Sequence, residues 1–183
     1  MTRRLILFTT LLFVMFSLVS ASHAEDLENM LYMNLESGRV TIKLRPDLAP
    51  NHVERIKELV REGFYDGVVF HRVIPGFMAQ TGDPTGTGSG GSGQNLNAEF
   101  TLTPHVRGTV SMARAQSPNS ADSQFFIVYD TASHLDGQYT VWGEVTEGME
   151  LIDALNKGTA ANNGMVSNPD HIVSMQVAAD VQE

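Results

Sequence analysis

The residues best placed to do chemistry lie in residues 68–84, VVFHRVIPGFMAQTGDP. Alternation over residues 69–74 predicts a strand with Phe70, Arg72 and Ile74 on one face and Val69, His71 and Val73 on the other. Pro75-Gly76 then turns the chain into a second apolar run, Phe77-Met78-Ala79. This arrangement sets the permanent charge of Arg72 beside Phe77, Met78 and Gln80. A guanidinium over an apolar shelf is a site that binds an apolar group and donates hydrogen bonds to something next to it.

Other chemistries find less support. The glycine-rich residues 82–94 match G-x-G-x-x-G twice, at Gly86/Gly88/Gly91 and Gly88/Gly90/Gly93. No helix opens behind them to aim amides at a phosphate, so a mobile surface loop is expected. There is no G-x-S-x-G elbow. His71, the obvious general base, falls on the strand face opposite Arg72 with no nucleophile near it in sequence, and it reads as a buried structural histidine. No two of the six histidines at 23, 52, 71, 105, 134 and 171 stand at i, i+4, so no metal and no cofactor are expected.

The elements that must position these residues follow from periodicity. Leu31, Met33 and Leu35, then Val40, Ile42 and Leu44, alternate around a Ser37-Gly38 turn and predict a β-hairpin. Val53, Ile56, Leu59 and Val60 recur at helical spacing, with Pro50 in the first turn and Gly63 past the end. Short strands are predicted at 110–112, 124–128, 140–144 and 172–178, separated by turn formers such as Pro118-Asn119 and Asp136-Gly137. A second helix is predicted over residues 149–157. Many short strands with two isolated helices argue for a mainly β fold, a closed antiparallel barrel capped by the helices. No internal repeat is present.

With 42% hydrophobic and 18% charged residues, the chain is one domain, residues 25–183, behind a segment of different character. That segment carries Arg3 and Arg4, an apolar run over residues 5–19 and Ser22-His23-Ala24, and reads as a signal peptide cut after Ala24. An uncleaved anchor is the alternative, but the run falls short of the roughly 20 residues a span needs. The general secretory route suits the strongly apolar run better than the twin-arginine route. The expected location is the periplasm. With no cysteine, neither a disulfide nor an acylated anchor is available, so stable membrane association after cleavage is not expected. Cleavage leaves 10 basic against 21 acidic residues, a charge of −11, which disfavours nucleic acid and anionic membranes as partners.

FHRVIPGFMAQTGDP at residues 70–84 resembles the signature of the cyclophilin family of peptidyl-prolyl cis–trans isomerases. SMARA at 111–115, SQFFIV at 123–128, LDGQYTVWGEV at 135–145 and EGMELIDAL at 147–155 resemble that family in the same order. The resemblance implies an eight-stranded barrel with two capping helices and a groove on its outer wall. Arg72 is similar to the family's catalytic arginine, and Phe77, Met78, Phe126 and Leu135 to the walls of its proline pocket. Gln80, Ala113, Arg114 and Gln124 resemble the positions that line the groove and hold the peptide backbone. His134 stands where eukaryotic members carry Trp and Tyr139 where they carry His. Both departures resemble bacterial exported members, and the first implies weak cyclosporin binding. The implied partners are proline-containing peptides and exported proteins that are unfolded or folding, and the chain is expected to act as a monomer. A peptide-binding chaperone with the same groove and negligible turnover is the alternative.

The residue inventory fits that chemistry on physical grounds. Rotation about an Xaa-Pro bond faces a barrier of about 18–20 kcal/mol, because twisting removes the amide resonance. The twisted nitrogen regains a lone pair and accepts a hydrogen bond in that state alone, so a guanidinium beside a proline pocket can stabilise it without acid, base or metal. On spacing alone, Phe77, Met78 and Phe126 read as ordinary barrel core.

Overall fold

The structure, a computed structural model, describes residues 27–181, so the expected signal segment and its cleavage site lie outside the described residues. The predicted hairpin forms as β1 (Met30–Leu35) and β2 (Gly38–Leu44), paired antiparallel from Met30 opposite Lys43 to Leu35 opposite Gly38. The central stretch supplies β3 (Arg72–Ile74) and β4 (Met78–Thr81). Later come β5 (Thr109–Met112), β6 (Phe125–Val128), β7 (Val141–Glu147) and β8 (Ile172–Val177). All eight belong to one antiparallel sheet in the order β3-β4-β6-β5-β7-β2-β1-β8.

That order corrects the expected closed barrel. The sheet curls into an open half-barrel whose edges, β3 and β8, share no ladder. Across the gap, Val69 and His171 form a single bridge, supported by Phe70 N–H donating to Asp170 O and Ile172 N–H donating to Val68 O. The tie to the opposite edge explains a second difference. Residues 68–71 leave the predicted strand, so the alternation slips by the time the chain reaches β3. Phe70 enters the main core with Val73 instead of sharing the Arg72 face.

Helix α1 (Pro50–Arg61) buries Val53, Ile56, Leu59 and Val60 as the spacing predicts, each such burial contributing about 1.5–3 kcal/mol. Its N-terminus lacks a local cap. Glu99, far along the chain, accepts from the Asn51 and His52 amides and from the His52 ring (2.6 Å), filling the role Ala49 cannot. Helix α2 spans Met149–Ala154, shorter than predicted. It stops because Leu155 is extended and the Asn156 amide turns to Asp170. The Lys157 ammonium then takes the freed carbonyls of Asp153 and Leu155. Among the described residues no helix is long and apolar enough to cross a membrane.

Strand alternation divides the apolar residues into two clusters. Ala79, Phe125 and Ile127 face the main core inside the curl, where Phe125 meets Trp142 edge-on. Met78, Phe126 and Val128, their neighbours in β4 and β6, face outward and pack with Leu135, Phe77 and Tyr139. The residues that spacing alone assigned to the barrel core therefore build a separate outer cluster.

Candidate active site

Register brings the outer side chains into rows. Arg72 lies opposite Gln80, Gln80 opposite Phe126, and Phe126 opposite Ser111 across β3, β4, β6 and β5. The row beside it runs Ile74, Met78, Val128. With strands about 4.8 Å apart, a cation, an amide and an aromatic ring stand side by side on one wall. Pro75-Gly76 holds β3 to β4 through Phe77 N–H donating to Ile74 O (3.1 Å), with Gly76 at φ 70, a value that favours glycine over residues carrying a Cβ. The three-residue helical turn Ser133–Leu135 supplies the facing wall, where the His134 ring lies 5.5 Å from that of Phe77.

These walls enclose a cleft of about 470 Å³. Nine of the ten residues predicted for the site line it: Arg72, Phe77, Met78, Gln80, Ala113, Arg114, Phe126, Leu135 and Tyr139. The tenth, Gln124, lies in an adjoining cleft of about 340 Å³ that shares Gln80, Gly88, Ala113 and Arg114 with the first. Sequence reasoning missed four more lining residues, namely His71, Gly88, Asn163 and Met165. His71 was placed on the wrong face because the alternation was extended past the true start of β3. The Asn163-Gly164 pair was a turn signal whose meaning depended on folding 91 residues of chain back onto Arg72.

Arg72 is held on three of its edges. Nε donates to Asn163 O (2.9 Å), Nη2 to Asn163 Oδ1 (3.2 Å) and Nη1 to Gln80 Oε1 (3.2 Å). Asn163 is in the left-handed region at φ 55, which turns both its oxygens to one guanidinium. Each of these partners is a neutral oxygen, and burial pulls the guanidinium down from its ordinary value. Arginine nevertheless stays protonated, so the charge is fixed, partly desolvated and, among the described residues, not neutralised by a carboxylate.

The polar chain continues away from Arg72. Gln80 Nε2 donates to Gln124 Oε1 (2.9 Å), and Gln124 Nε2 donates to Gly88 O (3.0 Å) and Gly90 O (2.8 Å). The glycine loop at the end of this chain holds no regular element, as expected, and is braced from inside by a carboxylate. Buried Asp83 sits inside it and accepts from the Thr85, Thr87, Gly88 and Gly90 amides at 2.6–3.1 Å. Burial alone would push this carboxyl up, but the Gly90 and Thr85 amides, the Thr85 hydroxyl and the Gly88 amide outweigh it and hold it well below the usual carboxylate range. The amides that the G-x-G-x-x-G matches would offer a phosphate are thus occupied by the protein's own anion.

A Ser-His-Asp constellation that sequence reasoning missed lies under the apolar wall. His105 Nδ1 is 2.9 Å from Asp136 Oδ1, and Nε2 is 3.1 Å from Ser111 Oγ. Ser111 is fully buried and its hydroxyl donates to Thr140 O (2.9 Å), so no substrate carbonyl can reach it. Its place is structural, with the His105 ring stacked beneath Phe126. His71, by contrast, is 2% exposed, and neither ring nitrogen has a partner among the described residues. Burial, and less strongly Arg72, lower its affinity for a proton against the opposing pull of Asp83. Among the described residues no three His, Asp or Glu side chains cluster to hold a metal.

Comparison with known proteins agrees with this geometry. The model of the cyclophilin type peptidyl-prolyl cis-trans isomerase family matches residues 30–177, and the chain belongs to that family. It is 52% identical over 176 residues to a probable peptidyl-prolyl cis-trans isomerase of Brucella suis, covering 90% of each chain. Peptidyl-prolyl cis-trans isomerase B of Bacillus subtilis is 45% identical over 130 residues, covering 69% of this chain and 90% of that one. A cyclophilin from Hirschia baltica superposes with a TM-score of 0.77 at 30% identity, covering 86% of this chain and 76% of that one. A Cryptosporidium parvum cyclophilin solved in the presence of the dipeptide Ala-Pro gives 0.75 at 29%, covering 81% and 98%. The protein is a peptidyl-prolyl cis-trans isomerase.

Proposed function

We propose that the protein accelerates Xaa-Pro isomerisation in exported proteins as they fold, and that Arg72 is its catalytic residue. The observation that carries this reading is a guanidinium pinned by neutral oxygens at the rim of an outward apolar cleft. The prolyl ring seats against Phe77, Met78, Phe126 and Leu135, where water is excluded. Gln80, Ala113, Gln124 and Tyr139 line the path of the flanking peptide, and Arg114 closes its far side.

In this mechanism the planar amide offers Arg72 its carbonyl oxygen but little electron density on nitrogen. Twisting restores the nitrogen lone pair, and a hydrogen of Nη1 or Nη2 not used by Gln80 or Asn163 donates to it. The donor is already oriented, so the gain falls on the transition state and not on the ground state. No bond to carbon or nitrogen is made or broken, and no proton changes owner.

The periplasmic location rests on the Arg3-Arg4 start, the apolar run at 5–19 and Ser22-His23-Ala24. The decisive experiment on activity is cis/trans exchange in an Ala-Pro peptide, followed by NMR with catalytic amounts of the protein. Accelerated exchange is expected. Shifted peptide signals without acceleration would identify a binder and overturn the proposed role.

A further inference from the structure

We propose that Arg114 forms a carboxylate-reading subsite beside the proline pocket, so that the enzyme favours segments carrying Asp or Glu within roughly two residues of the isomerised proline, a reach of about 3.3–3.6 Å per extended residue. The inference rests on the isomerase reading above and adds a substrate class to it.

Its starting point is how the cations of an acidic chain are used. Arg45, Arg55, Lys57, Arg61 and Arg107 each hold a carboxylate at 3.0 Å or closer, and Arg39, Lys43 and Lys157, which form no ion pair among the described residues, lie outside the cleft. Arg114 and Arg72 share the cleft, and neither forms an ion pair among the described residues. Arg114 rests instead on carbonyl oxygens: Nε donates to Gln138 O (3.1 Å), and Nη1 to Ala115 O (2.9 Å) and Gln116 O (3.1 Å). Its guanidinium lies 4.8 Å from the Tyr139 ring centroid, a cation–π contact that fixes its plane. Bonds on the Nε and Nη1 edges leave Nη2 without an acceptor among the described residues.

The position of this free edge indicates what it would meet. Arg114 lines both the proline cleft and the adjoining one, so a side chain near the bound proline passes it. The one carboxylate in the adjoining cleft, Asp122, is turned to the glycine loop. Its Oδ1 accepts from the Ser92 amide (2.8 Å) and hydroxyl, and its Oδ2 from the Gly93 amide (2.9 Å). A braced, planar, charged donor facing a solvent-filled cleft loses little conformational entropy on pairing, which is the condition under which an exposed ion pair becomes worth having. Arg72 adds charge of the same sign at the other side of the groove, and the two together attract an acidic segment toward a molecule whose net charge would repel it.

The test uses the processed protein and proline peptides that differ only in one residue, Glu, Gln or Lys, placed before or after an Ala-Pro unit. For at least one placement, wild-type kcat/KM is expected to be about fivefold higher for Glu than for Gln, and lower again for Lys. The preference should shrink when salt is raised to about 0.5 M, where screening acts over only a few ångströms. In Arg114→Gln the Glu/Gln ratio should fall to near one whatever the absolute rate, and Arg114→Lys should keep part of it. Equal turnover of Glu and Gln peptides by the wild type at every placement overturns the proposal, and so does a ratio that persists in Arg114→Gln. The isomerase reading fails separately, and only if the uncharged Ala-Pro peptide shows no acceleration at all.

Discussion

At the scale of residues, the site works through what its side chains cannot do as much as through what they can. His71 lines the cleft beside Arg72, yet the reaction moves no proton, and burial disfavours its charged form. His71→Gln should therefore change kcat/KM by less than about threefold, and activity should stay level through the pH range near 6.5 where an unperturbed histidine titrates. A bell-shaped pH profile centred there would assign His71 a chemical role. The His134 ring lies tilted against that of Phe77 at the rim and is smaller than the Trp that eukaryotic family members carry. Cyclosporin inhibition should therefore be weak and tighten in His134→Trp. Equal inhibition of the two proteins would show that the contact lies elsewhere. The grouping of Arg72, Phe77 and Met78 in one cleft was legible because they are close in sequence and punctuated by Pro75-Gly76. Asn163 was not legible, because its two bonds to Arg72, one through the backbone carbonyl and one through the side chain, depend on a fold that brings together residues 91 apart in sequence.

At the scale of elements, four short strands, the Ser133–Leu135 turn and one loop do the positioning. The hairpin and α1 were readable because their apolar periods run long enough to count, whereas β3 has three residues and its alternation was overextended into a segment tied to the opposite edge. The bracing of the glycine loop was not legible because it comes from Asp83, a residue whose partners are backbone amides that composition does not reveal. Asp83→Asn keeps the shape but replaces one acceptor oxygen with a donor, so the Gly88 and Gly90 carbonyls should lose their alignment with Gln124. Loss through the Gln80 relay should lower kcat roughly three- to tenfold with a smaller change in KM. Because Gln124→Ala breaks the same relay, the double variant should be little worse than either single one. Additive losses would show that the loop and Arg72 act independently.

At the scale of the whole molecule, the open half-barrel separates stability from chemistry, with one apolar cluster inside the curl and another on its outer wall. Stability should respond to acid through Asp83. Its folded carboxyl is held below the unfolded value of about 3.9, so its stabilisation is complete above that value and is lost as pH falls through the folded one. Thermal unfolding should place Asp83→Asn below wild type at neutral pH, with the gap closing only below about pH 4. A gap that is constant down to pH 2 would contradict the assignment. The proposed export belongs to this scale too: mass spectrometry of an envelope fraction should find a chain beginning at Glu25, and retention of Met1 in a membrane pellet would overturn it. In the proposed mechanism one fixed charge, that of Arg72, stabilises a twisted amide. This is tested most directly by exchange catalysis in folded Arg72→Ala, read as kcat and KM separately. A loss of about 2–4 kcal/mol of transition-state stabilisation corresponds to a fall of roughly 30- to 1000-fold in kcat. Peptide affinity should be nearly unchanged, and Arg72→Lys should recover little. Turnover within about threefold of wild type, or a collapse of affinity in place of turnover, would make Arg72 a binding residue and contradict the mechanism.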